Sequence, residues 1–233
     1  MRILVIGDIH GCSTAFDALV AAVQPVAEDR VITLGDYVDR GPDSFGIVQR
    51  LIALEKNCQL VALRGNHDHM MLASRDNPET YQLWQECGGK AALASYSPSG
   101  GEGKLADVPS EHWEFLEKRC VDWHENDTHF FVHANVLPDV PLPEQPEYML
   151  FWEKLVFPMP HCSGKIMVCG HSSQRTGLPL NLGHTVCIDT WVYGDGWLTC
   201  WDIPSGRVWQ ANQKGELRTA NMDDYLTDQE GEE

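Results

Sequence analysis

The sequence predicts an α/β (α+β) fold whose strands end together at one edge. Three observations predict it: strand and helix patterns alternate through the first third, a helical stretch follows, and period-two segments fill the back half. Arg2–Ile6 is an apolar strand, and Ser13–Val23 carries Phe16, Leu19, Val20 and Val23 at helical spacing, with Ser13 expected as N-cap. Arg30–Leu34 is the second strand. Ser44–Glu55 is a helix with Phe45, Val48, Leu51, Ile52 and Leu54 on one face, and Gln59–Leu63 is the third strand. Such a run reads as a parallel sheet with right-handed crossovers.

Residues 67–119 read as a mostly helical insertion beside the sheet, interrupted by the turn-rich Ser97–Gly103 and restarting near Ser110–Glu114. Val121–His124 and His129–His133 then form an expected hairpin about the Asn126-Asp127 turn. Lys165–Gly170, Thr185–Asp189, Trp197–Ile203 and Arg207–Asn212 are further strands, antiparallel or mixed. The reading is one domain over residues 1–218 and an acidic, flexible tail over 219–233.

Composition narrows the partners. A net charge of -17, with no basic run, argues against nucleic acid polymers and anionic membranes. No apolar run reaches the roughly 18 residues that span a bilayer. The opening apolar residues run straight into Asp8 and His10 without a cleavage site, so they are read as a core strand. Eight scattered cysteines form no C-x-x-C pair, and several sit inside apolar runs, as in Met167-Val168-Cys169. Free thiols in a reducing cytoplasm are therefore expected.

The chemistry lies at the strand ends. Gly7-Asp8-Ile9-His10-Gly11, Gly35-Asp36-Tyr37-Val38-Asp39-Arg40-Gly41 and Gly65-Asn66-His67-Asp68 each close one of the first three strands. Two later strands run into His133 and His171. Open α/β sheets bind ligands at the carboxyl ends of their strands. Carboxylate, amide oxygen and imidazole without thiolate suit Mn, Fe or Zn better than Ca, and do not suit a structural zinc finger. One carboxylate can bridge two ions that clamp an in-line displacement.

In this order and spacing the three motifs, with Phe131-Val132-His133-Ala134 and Cys169-Gly170-His171, closely resemble the phosphoprotein phosphatase family of calcineurin-like metallophosphoesterases. The resemblance covers about Met1 to Asp202. It is nearest to the small bacterial branch of Ser/Thr protein phosphatases and symmetrical diadenosine tetraphosphate hydrolases. It implies a β-sandwich of two mixed sheets flanked by helices, with the metal site at the strand carboxyl ends. It also implies that Asp8, His10 and Asp36 hold one metal, and Asp36, Asn66, His133 and His171 the other.

On the same resemblance His67 is the general acid and Asp39 the carboxylate that orients it, a pairing that keeps an imidazole protonated. Arg40 is a two-pronged phosphate ligand, Asn66 also faces the phosphate, and Lys154 stands where the bacterial branch has an Arg after a Trp. Ala134-Asn135-Val136 replaces the family's glycine-rich segment, so a differently shaped loop is expected beside His133. Two divalent ions, Mn first and Fe or Zn by the same donors, outweigh the carboxylates that hold them, so an acidic protein can still capture phosphate.

The expected activity is hydrolysis of phosphate monoesters, phosphoserine and phosphothreonine foremost, by direct attack of a metal-activated hydroxide. No Cys or Ser nucleophile stands in the motifs. Diadenosine tetraphosphate is the alternative substrate, and an inactive metal-bound binding module is the third reading; the intact His67 and Asp39 speak against the latter. Arg64 is read as a loop brace, and Asp189 as either a partner to a ligating His or a turn cap. Arg175 is a minor candidate for substrate contact. Trp191, Tyr193, Trp197 and Trp201 are read as packing residues rather than a base-stacking platform.

Overall fold

A computed structural model describes residues 1–227; residues 228–233, the end of the expected acidic tail, lie outside the described residues. Two mixed sheets pack face to face. The first six strands in chain order are β1 (Ile3–Ile6), β2 (Arg30–Thr33), β3 (Gln59–Ala62), β4 (Trp123–Glu125), β5 (His129–Val132) and β6 (Ile166–Cys169). They are followed by β7 (Leu180–Asn181), β8 (Thr185–Cys187), β9 (Leu198–Asp202), β10 (Arg207–Ala211) and β11 (Leu217–Asn221). One sheet runs β11-β10-β9-β1-β2-β3 and the other β4-β5-β6-β8-β7. β1, β2 and β3 pair in parallel, as do β5, β6 and β8, so two sets of carboxyl ends point to one edge.

The period of two explains the layers. In β1, Val5 faces inward while Leu4 and Ile6 face the helices α1 (Ser13–Val23) and α2 (Ser44–Leu54). In β5, Phe131 joins Val5, Ile32, Val168, Val186 and Val208 between the sheets, while Phe130 and Val132 pack on the outer side. Residues 67–119 are mostly helical, as the sequence indicates. They contain α3 (Asn66–Ala73), α4 (Pro78–Trp84), α5 (Lys90–Tyr96) and α6 (Ser110–Glu114), with a kinked turn at Gln85–Gly89. A last short helix, α7 (Glu147–Phe151), covers the outer face of the second sheet.

Three details differ from the sequence reading. Cys12, not Ser13, occupies the N-cap of α1, and no side chain caps that end. The two-residue β7 was not anticipated. The expected tail is part of the fold as far as Thr227: β11 pairs with β10, and Met222–Tyr225 forms a 3₁₀ turn that seats Met222 in the inter-sheet core. Among the described residues, no helix is long and apolar enough to cross a membrane.

Phe131 is fully buried where the two sheets meet. Phe131→Ala is expected to remove about 3–5 kcal/mol of stability, measured by urea denaturation, as for other buried aromatic truncations. A loss below about 1 kcal/mol would place the core elsewhere.

Candidate metal centre

Each sequence-named ligand follows a strand. Asp8 and His10 leave β1, Asp36 leaves β2, Asn66 opens α3 after β3, His133 leaves β5, and His171 leaves β6. All are buried. Backbone hydrogen bonds lace the exit loops to one another. Asp36 O accepts from the N–H groups of Ile9 and His10 at 3.1 and 2.8 Å. The Asp36 carboxylate accepts from His67 N–H at 2.9 Å. Asp8 accepts from His171 N–H at 3.1 Å, and His133 O from Gly170 N–H at 2.8 Å.

Asp68 is the tightest of these ties. Its carboxylate accepts from the backbone N–H groups of Asp36 (2.9 Å), Tyr37 (3.0 Å) and Gly65 (2.9 Å), fixing the second motif against the third. The sequence offered no role for it. Burial and then the charge of Asp36 push its pKa up to about 7, against the pull of the backbone donors.

The three histidines expected as ligands share one device. His10 Nδ1–H donates to Val38 O (2.9 Å), His133 Nδ1–H to Leu34 O (2.8 Å), and His171 Nε2–H to Trp152 O (3.0 Å). Each backbone carbonyl fixes the tautomer and turns the other ring nitrogen, with its lone pair, inward. His133 Nε2 and His171 Nδ1 each lie 2.9 Å from Asn66 Oδ1, and Asp36 Oδ1 is 3.5 Å from His133 Nε2. Acceptors face acceptors here, an arrangement that a cation relieves. On the other side of Asp36, His10 Nε2 lies 3.3 Å from Oδ2. The residues thus fit two divalent ions sharing Asp36.

Protonation agrees with that fit. Burial pushes His10 and His133 below the ordinary histidine range, and burial with the neighbouring His133 and Lys154 lowers His171 to about 3. Neutral imidazole is the form that binds metal. Asp8 is pushed well above its ordinary value by burial and by Asp189 and Asp36, as expected for crowded carboxylates awaiting positive charge. His67 goes the other way. Burial opposes its charge, but Asp36 and the bond from Nδ1–H to Asp39 Oδ2 (2.6 Å) outweigh it, and its pKa is raised.

The backbone is strained at the same residues. Among the described residues, eight non-glycine residues have positive φ, and five of them are His10 (46°), Asp36 (52°), Asp39 (73°), Arg40 (66°) and His171 (59°). Strain of this kind costs about 1–3 kcal/mol per residue, persists where the surrounding structure over-determines the geometry, and clusters at active sites.

A family profile described as calcineurin-like phosphoesterase matches residues 1–176, which span all five strand-end motifs. The chain belongs to the calcineurin-like phosphoesterase family. It is similar to serine/threonine-protein phosphatase 1 of Salmonella typhimurium, 32% identical over 58% of this chain and 59% of that protein. It also resembles a symmetrical bis(5'-nucleosyl)-tetraphosphatase of an Acidovorax species, 40% identical over 32% of this chain and 26% of that one. The chain therefore spans less than two thirds of these relatives. Among solved structures, one assigned provisionally as a diadenosine tetraphosphatase superposes with TM-score 0.65 at 20% identity, over 94% of this chain and 93% of the other. A cold-active protein tyrosine phosphatase gives 0.62 at 15% identity, over 94% and 78%. These likenesses establish the shared fold.

Within this family member, the side chains named from sequence do not all stand where expected. Among the described residues, potential ligand atoms gather within 4.8 Å in two groups: His10, Asp36 and His67, and Asp36, His133 and His171. Asp8 belongs to neither group, and its carboxylate accepts from His171 N–H. Lys154 does not reach into the site as a free ammonium: Nζ donates to His171 O at 2.7 Å and buttresses that loop. Asn135 ties the same segment down through Lys154 O, at 3.1 Å.

Arg64 is a brace, donating to Leu116 O, Glu117 O, Cys120 O and Asp122. Asp189 is a cap, accepting from Trp191 N–H and Ser173 Oγ–H. Arg175 stacks on Trp191, 5.5 Å from the ring centroid. Tyr193, read from sequence as packing, lies at the site: its ring is 4.9 Å from His10, and Arg40 stacks on it at 4.4 Å. Arg40 Nη1 also donates to His10 Nε2 at 2.7 Å.

Asp68→Asn would set an amide N–H against backbone donors and leave a buried N–H without its acceptor. The expected loss is about 1–3 kcal/mol in chemical denaturation, with weaker Mn affinity in the same variant. Unchanged stability and Mn affinity would remove Asp68 from the scaffold of the centre.

Proposed function

We propose that this phosphoesterase is a metal-dependent hydrolase of phosphate monoesters, with phosphoserine and phosphothreonine in proteins as its leading substrates. The division of four buried imidazoles between two jobs carries the reading. His10, His133 and His171 turn unprotonated nitrogens inward, whereas His67 gives Nδ1–H to Asp39 and keeps Nε2 for a substrate.

Divalent cations held by Asp8, His10, Asp36, Asn66, His133 and His171, Mn first and Fe or Zn by the same donors, supply Lewis acidity and a water of lowered pKa when bound. Arg40, whose Nη1 donates to His10 Nε2 and whose guanidinium stacks on Tyr193, is assigned to the phosphoryl oxygens as a planar donor that exchanges the His10 contact for phosphate, and Asn66 is assigned to the same group. His67 passes its Nε2 proton to the leaving oxygen as the P–O bond breaks. Asp39 holds Nδ1–H and stabilises the protonated ring. Lys154 is assigned to the His171 loop, where its ammonium donates to the His171 carbonyl.

Direct hydrolysis without a phosphoenzyme is supported by the nearest motif thiol. Cys12 is buried, donates to His10 O at 3.3 Å, and is pushed up by burial to about 12, so it is no nucleophile. Eight free cysteines support a reducing cytoplasm. The acidic surface supports neither nucleic acid polymer nor anionic membrane as partner.

A dinucleotide tetraphosphate is the second reading, favoured by the names of several relatives and by Tyr193 at the site. Against it, Trp191, Tyr193 and Trp197 each carry an arginine on the ring, and Trp201 is buried in the sheet. Parallel kcat/KM values with Mn on a phosphoserine peptide and on diadenosine tetraphosphate separate the two. Faster cleavage of the peptide is expected, and a negligible rate on it beside efficient dinucleotide cleavage would transfer the assignment. His67→Asn is expected to lower kcat by about 100-fold or more while Mn stays bound, as for loss of a general acid. Undiminished turnover would remove His67 from that role.

A further inference from the structure

We propose that Trp84 is a positioning residue for the Asp39–His67 pair, acting through its indole N–H; this rests on the reading of His67 as the acid that protonates the leaving oxygen. Trp84 ends α4 and is fully buried. Its Nε1–H lies 2.9 Å from Oδ1 and 2.9 Å from Oδ2 of Asp39, a bifurcated bond to both carboxylate oxygens. Oδ2 is also the oxygen that accepts from His67 Nδ1–H. The terminal torsion of an aspartate is soft, so His67 alone does not fix the carboxylate plane. A donor shared between both oxygens fixes it.

The chain around Trp84 is shaped for this contact. A kinked turn, Gln85–Gly89, follows directly and separates α4 from α5. Gly88 has φ 129°, and a Cβ there would come within 2.9 Å of Arg40 N and 3.1 Å of Asp39 Cβ. Gly89 lies flat on the indole, where a Cβ would meet the ring at 2.5 Å. Two successive small residues thus let one turn press on the Trp84 ring and on the strained Asp39-Arg40 dipeptide together. From the other side Ser44 Oγ accepts from Asp39 N–H at 3.0 Å. A buried indole N–H needs an acceptor, and here the acceptor is the carboxylate that holds His67.

The leaving group separates positioning from packing. A nitrophenolate departs without a proton, whereas an unactivated phenolate needs one, so a misplaced acid is felt mainly on phenyl phosphate. Wild type and Trp84→Phe, both loaded with Mn, are compared on 4-nitrophenyl phosphate and phenyl phosphate. The loss of kcat on phenyl phosphate is expected to exceed that on the nitrophenyl ester by about tenfold, with KM little changed. Equal losses on both esters, or none on either, overturn the proposal.

Thermal melting and bound Mn establish that the variant is folded and loaded. If Trp84→Phe does not fold, benzothienylalanine at position 84, which keeps the shape and replaces N–H by sulfur, is held to the same two outcomes. His67→Asn serves as the control. If it shows no preferential loss on phenyl phosphate, the assignment of the acid has failed and the role of Trp84 falls with it. If it shows that loss and the Trp84 variants do not, Trp84 alone has been misassigned.

Discussion

Asp36 is the residue through which this edge of the molecule is assembled. Its carbonyl receives the first loop, its N–H is held by Asp68, and its carboxylate receives the third loop while facing His10 on one side and His133 on the other. Fully buried, in a left-handed conformation, it is surrounded by four further buried carboxylates, Asp8, Asp39, Asp68 and Asp189. Concentrated negative charge of this kind is costly away from water unless cations balance it. The sandwich makes the concentration possible, because parallel strands in both sheets deliver their carboxyl ends to the same place.

Much of this was legible in the sequence, for physical reasons. β1, β2, β5 and β6 are buried on both faces over most of their length and read as apolar runs, whereas β3, at the sheet edge, is only partly buried. The turns that follow need residues tolerant of sharp exits, so glycines bracket the ligands. β11 was not legible because it is an edge strand whose alternating residues are exposed or half-exposed, leaving no apolar period to detect. Ser13 looked like a cap, but the loop from Gly11 places Cys12 at that position and turns its thiol back to His10 O.

The residues that escaped sequence reading act through contacts between distant segments. Tyr193 belongs to a loop far along the chain, and its neighbours His10 and Arg40 come from the first two motifs. Lys154 follows a tryptophan in a familiar spacing, yet the carbonyl of His171 captures its ammonium. Trp84 sits in an otherwise ordinary helix. The paired glycines Gly88-Gly89 were the available signal, since two glycines within a helical segment oppose helix propensity and need a packing reason.

The central claim is that these side chains hold two divalent ions through a shared Asp36. Elemental analysis of Mn bound per chain, after saturation and removal of free metal, tests it directly. Two equivalents in the wild type, with both reduced in Asp36→Asn, is the predicted result. One equivalent or none in the folded wild type, or two retained in Asp36→Asn, would contradict it.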